Sequence, residues 1–201
     1  MALRTLVYLQ SVNNLSDARY GAGMGVGLIG YPLAGEAEVT PQDYQELSGW
    51  VSGPEFVGEF GDDDPEVIRR KLELYPVDFV GTCRADIVDD LRDLKRPLVL
   101  FVSGDDLRAA GQTLAWHADR VQYFVLHCTM PPTDAERVAL QRLAANYPLL
   151  LDFPGEGEGV PALLDDLRPT GLALRGGDEE RPGFKDFDAL ADMLEALETD
   201  D

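Results

Sequence analysis

Basic residues are scarce in this sequence. It contains 17 Lys and Arg against 37 Asp and Glu in 201 residues, which gives a formal net charge of −20. A surface of this charge repels the phosphates of nucleic acids and of anionic lipids. We therefore expect neither a nucleic acid nor a membrane as a partner. The acidic residues are dispersed along the chain, a pattern typical of a solvated surface and suited to high salt, which screens their repulsion.

Long apolar runs are also missing. No segment reaches the ~18 apolar residues that a membrane-spanning helix needs. The first ten residues, MALRTLVYLQ, contain one Arg and a short apolar run, with no small-residue cleavage site behind it. We interpret this stretch as a first strand and predict a cytoplasmic protein.

Cysteine and histidine are rare, with two of each. Cys83 and Cys128 form no disulfide framework and match no zinc-binding spacing, so we expect reduced thiols. No P-loop, dinucleotide fingerprint, zinc-protease or serine-hydrolase motif occurs. The sequence therefore predicts no metal and no cofactor. His117, near the end of a predicted helix, is expected at the surface.

Eight apolar runs recur along the chain, each followed by a polar break and a segment of helical period. They cover residues 3–10, 26–32, 55–60, 77–83, 97–103, 121–128, 147–153 and 170–176. Continuous apolar strands are typical of a parallel sheet buried on both faces. Eight such units predict an α/β fold, a compact single-domain (β/α)8 TIM barrel over residues 1–201, with helices between the strands, including one over ADIVDDLRDL. An open doubly wound sheet is the alternative.

Polar residues stand near the carboxyl ends of the predicted strands, where barrels of this kind keep their functional groups. A ring of them could bind a small ligand: Tyr8, Gln10, Tyr31, Glu59, Cys83, Ser103, His127, Asp152 and Arg175. Cys83 and Cys128 end two of the strands, and either could be a nucleophile beside a histidine. Buried, inert thiols are the commoner alternative.

His127 and Asp152 are the candidate catalytic residues. The ordinary pKa of histidine, about 6.5, suits acid or base chemistry. Asp152 could orient the imidazole across the barrel mouth, a recurring catalytic arrangement. The alternatives are a buried, hydrogen-bonded histidine and a carboxylate that caps the next helix. Both remain open at this point.

A phosphate site is predicted at Arg175, Gly176 and Gly177. Backbone N–H groups of a glycine turn bind phosphate, and an arginine adds charge and hydrogen bonds. Glycine pairs are also common in tight turns, so a plain turn into the last helix is an equal alternative. The acidic residues that follow, from Asp178 to Glu180, weaken the phosphate interpretation.

Two stretches resemble the phosphoribosylanthranilate isomerases, small (β/α)8 enzymes of tryptophan biosynthesis. VNNLSDARYGAGMGVGLIGYP (12–32) is similar to the family's opening, I-T-N-L-x-D-A-x-x-A-x-x-x-G-A-D-x-x-G-F-x-F. GLALRGGDEERPGFKDFDAL (171–190) resembles the family's last strand and turn, G-V-D-V-S-S-G-V-E-x-x-P-G-x-K-D. The resemblance implies the barrel fold and an Amadori rearrangement of a phosphoribosyl amine.

The sequence departs from that family at the reacting positions. The family's general base is a cysteine at the end of the first strand, where this chain has Gln10, which cannot take a proton at a useful pH. The family's general acid is a carboxylate at the end of the sixth strand, where His127 stands. The arginine that holds the anthranilate carboxylate is missing, and the LAGEAEV segment supplies Glu36 and Glu38 instead.

Two functions follow as hypotheses. In the first, the chain is a divergent isomerase-like enzyme acting on a small, phosphorylated metabolite, with Tyr8, Gln10, Tyr31 and Cys83 binding the ligand. In the second, it is a pseudoenzyme that retains the barrel and binds a ligand or a partner protein. We expect a monomer or a homodimer in either case. Polar strand ends that converge on one open pocket would favour the enzyme, and a plugged mouth would favour the pseudoenzyme.

Overall fold

Eight parallel strands form a closed barrel. The computed structural model describes residues 2–128, 132–153, 159–175, 179–181, 184–185 and 188–199. Each strand pairs with the next, and β8 pairs back with β1, so the predicted single-domain (β/α)8 barrel is confirmed over the open sheet. The strands are β1 Leu6–Gln10, β2 Leu28–Pro32, β3 Glu55–Glu59, β4 Phe79–Thr82, β5 Leu98–Ser103, β6 Val121–His127, β7 Leu149–Asp152 and β8 Gly171–Arg175.

Seven α-helices lie in the described part of the chain. They are α1 Leu15–Gly23, α2 Pro41–Gly49, α3 Pro65–Leu72, α4 Leu107–His117, α5 Asp134–Asn146, α6 Val160–Leu167 and α7 Asp188–Glu195. Their starts follow the local sequence: Thr40 accepts a hydrogen bond from the Asp43 N–H just before Pro41 opens α2, and Thr133 forms a capping box with Glu136 before α5. Among the described residues, no helix is long and apolar enough to cross a membrane.

The helix predicted over ADIVDDLRDL does not form. The segment makes a 3₁₀ turn at Ala85–Ile87 and continues in turns, held mostly by hydrogen bonds to the third residue back, such as Leu94 N–H to Leu91 C=O at 3.1 Å. Aspartate is a poor helix former because its carboxylate competes for nearby backbone groups, and four of these ten residues are Asp. Ile87 and Leu91 are still buried, so the segment packs as the sequence predicts without being a helix.

Two further features differ from the sequence-based expectation. His117, expected at the surface, is buried at the end of α4, and burial lowers the pKa of its imidazole. A short antiparallel pair that the sequence pattern did not predict, β9 (Glu179–Arg181) with β10 (Phe184–Lys185), follows β8.

The barrel interior is filled in layers because side chains alternate between the two faces of each strand. One residue from each strand makes the apolar central layer: Tyr8, Leu28, Val57, Phe79, Val99, Val125, Leu150 and Ala173. Two residues further along, the same face of each strand carries Gln10, Gly30, Glu59, Gly81, Phe101, His127, Asp152 and Arg175. This second layer, hereafter the upper layer, is mostly polar and stands at the carboxyl ends of the strands.

Candidate functional site

The upper layer forms the floor and walls of an open pocket of about 870 Å³. Its lining includes six upper-layer side chains together with Ser11, Cys83 and Ser103. Ala34, Glu36 and Ala37 of the LAGEAEV segment lie along one wall without closing the mouth. Within the described ranges no side chain plugs the pocket, and this geometry favours a functional site over a sealed barrel.

His127 and Asp152 are neighbours at the ends of β6 and β7. The register pairs them, and His127 Nδ1 lies 2.9 Å from Asp152 Oδ2. Half of the His127 side chain is exposed to the pocket, whereas the Asp152 side chain is only 9% exposed. When Nδ1–H donates to the carboxylate, Nε2 remains available to a ligand, which is the geometry of an oriented acid or base.

The structure does not support a buried, satisfied role for His127 or a helix-capping role for Asp152. A buried, satisfied histidine would not be half exposed toward a cavity. Asp152 does not cap the following helix, since α6 begins after Gly159, seven residues further along. The Arg175 guanidinium lies 3.6 Å from the same Asp152 oxygen and is 60% exposed, so it adds a cation to this side of the pocket.

Glu59 is the most tightly held polar group at the site. Its Oε1 accepts a hydrogen bond from the Tyr8 hydroxyl at 2.5 Å and one from the Ser11 N–H at 3.1 Å, and its Oε2 accepts one from the Ser11 hydroxyl at 2.9 Å. Burial raises the pKa of the Glu59 carboxyl, although these hydrogen bonds and the charge of Arg175 act in the opposite direction.

Local backbone geometry makes room for Glu59 and supplies its donors. A Cβ at Gly30 would lie 2.5 Å from the Tyr8 hydroxyl and closer still to Glu59 Oε1, so only glycine leaves space for this pair. Ser11 has φ = 55°, the left-handed region that residues with a side chain rarely adopt. That conformation turns both its N–H and its hydroxyl toward the Glu59 carboxylate. A strained residue of this kind persists where the surrounding structure fixes it, often at functional sites.

Gln10 is a buried amide on the pocket floor. It is 3% exposed, and its Nε2 has no hydrogen-bond partner among the residues that the structure describes. It pairs in register with Arg175 and lines the same pocket. Since buried amide groups are nearly always hydrogen-bonded, this N–H₂ group marks a place where a ligand acceptor could sit.

The predicted ligand-binding role of Tyr31 is wrong. Tyr31 is fully buried outside the barrel, with its ring edge-on to Tyr44 at 5.1 Å and to Phe56 at 5.6 Å. The physical reason is the alternation of side chains: Gly30 faces the barrel interior, so Tyr31 must face the helices. Tyr8 does face inward, but it lies beneath the pocket and supports Glu59 rather than lining the cavity.

The cysteines show no sign of activation. Cys83 lines the pocket, and burial together with the nearby Asp62 and Glu59 raises the pKa of its thiol. Cys128 is buried, and burial raises the pKa of its thiol to about 11, with the charge of Asp152 adding to the effect. A raised thiol pKa disfavours the reactive thiolate, and these features favour the alternative of inert thiols.

The structure brings seven residues of the predicted polar ring to one pocket: Gln10, Glu59, Cys83, Ser103, His127, Asp152 and Arg175. Gly176 and Gly177 lie outside the described residues. Ser11 was not predicted as a site residue. A serine after a strand is common, and no sequence pattern predicts its left-handed backbone conformation.

Comparisons with known proteins agree with the barrel fold. No family model matches the chain. A curated N-(5'-phosphoribosyl)anthranilate isomerase from Synechococcus sp. (strain JA-2-3B'a(2-13)) is 26% identical, over 96% of this chain and 91% of that protein. The resemblance to the phosphoribosylanthranilate isomerase family is confirmed. A monomeric form of the Thermotoga maritima phosphoribosylanthranilate isomerase superposes with a TM-score of 0.80 at 19% identity, and the Thermus thermophilus enzyme with 0.76 at 20%. Each covers 96% of this chain and 98% of the other, so the phosphoribosylanthranilate isomerase barrel is shared throughout.

Proposed function

We propose that the chain is an enzyme that moves a proton on a small phosphorylated metabolite, an isomerase-type reaction in the pocket described above. The observation that carries the proposal is the convergence of Gln10, Glu59, His127, Asp152 and Arg175 on one open cavity at the carboxyl ends of the strands. The name of the curated relative supports the same class of reaction.

The residues take distinct roles in this proposal. His127 is the acid or base that meets the substrate, since its imidazole is exposed to the cavity. Asp152 orients the ring through the 2.9 Å hydrogen bond. Arg175 contributes to phosphate binding together with Gly176 and Gly177, because a guanidinium pairs well with phosphate oxygens. The buried amide of Gln10 donates to a substrate oxygen.

The charge of the pocket indicates a substrate other than phosphoribosylanthranilate. In the part of the chain that the structure describes, three carboxylates line it, those of Glu36, Glu59 and Asp152, against one guanidinium, that of Arg175. A substrate with a second negative group, such as the anthranilate carboxylate, would approach Glu36 where the family has an arginine. We therefore propose a phosphate ester whose other end is neutral or carries hydrogen-bond donors.

A non-catalytic binding protein is the second candidate, and one observation favours it. Gln10 stands where the family has its general base, and an amide cannot take up a proton. A pseudoenzyme would bind the phosphate ester through Arg175 and Gln10 without converting it.

The test is turnover of phosphoribosylanthranilate, followed by the loss of anthranilate fluorescence at low and at molar salt, alongside calorimetric binding of ribose 5-phosphate. Turnover that falls at least about 100-fold in His127→Ala supports an enzyme with the family reaction and contradicts the substrate proposed above. Trp116→Ala, an exposed position on α4, is the control and should change nothing. Binding of ribose 5-phosphate without turnover supports a phosphate-ester site and is expected both of an enzyme with a different substrate and of the non-catalytic candidate. A folded protein that neither binds nor converts either compound contradicts the proposal.

A further inference from the structure

The roles proposed above do not account for Glu59 and the three hydrogen bonds that it accepts from Tyr8 and Ser11. An isomerisation by proton transfer needs one group that gives a proton and one that accepts it. His127 can give a proton, and Gln10, at the family's base position, cannot accept one. Glu59 is a carboxylate on the same pocket wall, and three donors hold it in one orientation.

The hydrogen bonds of Glu59 leave one acceptor position open. A carboxylate offers about four lone-pair sites. Among the described residues, Tyr8 and the Ser11 N–H occupy Oε1 and the Ser11 hydroxyl occupies one site on Oε2, so the second site on Oε2 remains for a group in the cavity. The Tyr8 and Ser11 donors fix this orientation, and the carboxylate lies in the space that the absence of a side chain at Gly30 provides.

The charged and titratable surroundings of Glu59 come from three directions. Tyr8 of β1 contacts it directly, Cys83 stands after β4, and Arg175 projects from β8. Both Tyr8 and Cys83 are held as neutral groups, because burial and the neighbouring carboxylate raise their pKa values. Arg175 is therefore the fixed charge that balances an ionised Glu59, and a phosphate bound to Arg175 would make Glu59 a stronger base.

We propose that Glu59 is the proton acceptor of this pocket, in the role that Gln10 cannot fill. The inference rests on the proposed function. A substrate C–H bond next to a carbonyl or neutral imine carbon breaks, its proton goes to Glu59 Oε2, and its electron pair forms a C=C bond. His127 protonates the oxygen or nitrogen that receives the charge. Glu59 then returns its proton to the adjacent carbon while His127 takes one back, so both groups end as they began.

An electrophilic phosphate ester, 1,2-anhydropentitol 5-phosphate, tests this assignment on the intact wild-type protein. A carboxylate that faces a bound substrate carbon attacks the epoxide: a carbon–oxygen ester bond forms, the epoxide C–O bond breaks, and the epoxide oxygen takes a proton from His127 or water. Tandem mass spectrometry locates the adduct. We expect it on Glu59, with slower labelling in the presence of inorganic phosphate. Glu59→Gln should abolish labelling, whereas Glu46→Gln, at an exposed glutamate of α2 away from the pocket, should leave it within about twofold of wild type.

Each other outcome overturns the assignment. An adduct on Glu36 or Asp152 would identify that residue, instead of Glu59, as the proton acceptor. If a protein that binds ribose 5-phosphate forms no adduct, the assignment of Glu59 as proton acceptor is contradicted but the proposed function is not. A folded protein that does not bind ribose 5-phosphate contradicts both the Glu59 assignment and the proposed function. Because the adduct is mapped on the wild-type chain, the result does not depend on the folding of Glu59→Gln. Tyr8→Phe, which removes a single hydroxyl, should still be labelled on Glu59.

Discussion

Replacing Gly30 with alanine tests whether the Tyr8–Glu59 pair depends on the space that this glycine leaves. The added methyl group would lie 2.5 Å from the Tyr8 hydroxyl and even closer to Glu59 Oε1, so both side chains must move. Overpacking of this kind costs about 1–3 kcal/mol. Displacing the pair also breaks a hydrogen bond to a carboxylate, a class worth about 1.5–3 kcal/mol. We expect Gly30→Ala to lower the free energy of unfolding by about 2.5–6 kcal/mol, a large part of the stability of a typical domain.

Urea unfolding at pH 7, followed by circular dichroism, measures this loss. Gly23→Ala is the matched control, because Gly23 lies in α1 with nothing within 4 Å of an added Cβ, and alanine there should be neutral or stabilise by up to about 1 kcal/mol. In a Glu59→Ala background the clash with the carboxylate is gone, so the two changes together should cost at least about 1 kcal/mol less than their separate effects. A Gly30→Ala variant within about 0.5 kcal/mol of wild type would refute the reasoning.

Three further predictions follow. Burial raises the folded-state pKa of Glu59, so the contribution of the protonated carboxyl to stability is complete below the ordinary pKa of 4.5 and is lost as pH rises through the raised pKa. The stability of Glu59→Gln relative to wild type should therefore increase with pH. A difference in urea midpoints that does not change with pH would contradict this prediction. Iodoacetamide at pH 8 should modify Cys83 before Cys128, since Cys128 is buried with a pKa of about 11; equal rates by peptide mapping would argue against it. Thr133→Ala removes the capping box of α5 and should cost about 1 kcal/mol in urea unfolding, whereas an unchanged midpoint would show that the cap contributes nothing.

The sequence predicts the barrel well because its strands are continuous apolar runs, and the eight runs coincide with β1 to β8. It also predicts the pairing of His127 with Asp152, since consecutive parallel strands place their ends side by side. Tyr31 shows the limit of that reasoning: a position at a strand end does not say which face the side chain takes. Once Tyr8 is known to face inward, alternation along the strands places Gln10 and the other upper-layer residues.

Two contributions to the site depend on tertiary structure that no local pattern reveals. Ser11 adopts a left-handed backbone because Glu59, 48 residues away, accepts both of its hydrogen bonds. The importance of Gly30 likewise follows from the positions of Tyr8 and Glu59, since the same glycine in open space would carry no constraint. In both cases the sequence shows an ordinary residue, and the role comes from contacts across the barrel mouth.

Every role proposed for this pocket requires that it bind a small phosphate ester, and calorimetric titration of ribulose 5-phosphate measures that binding. We expect saturable one-to-one binding that weakens at least about tenfold, or 1.4 kcal/mol, in Arg175→Ala and stays unchanged in Trp116→Ala. The assignment of a phosphate-ester site would be contradicted if the folded wild-type protein shows no saturable binding at low or at molar salt. It would also be contradicted if Arg175→Ala binds the ligand as tightly as wild type.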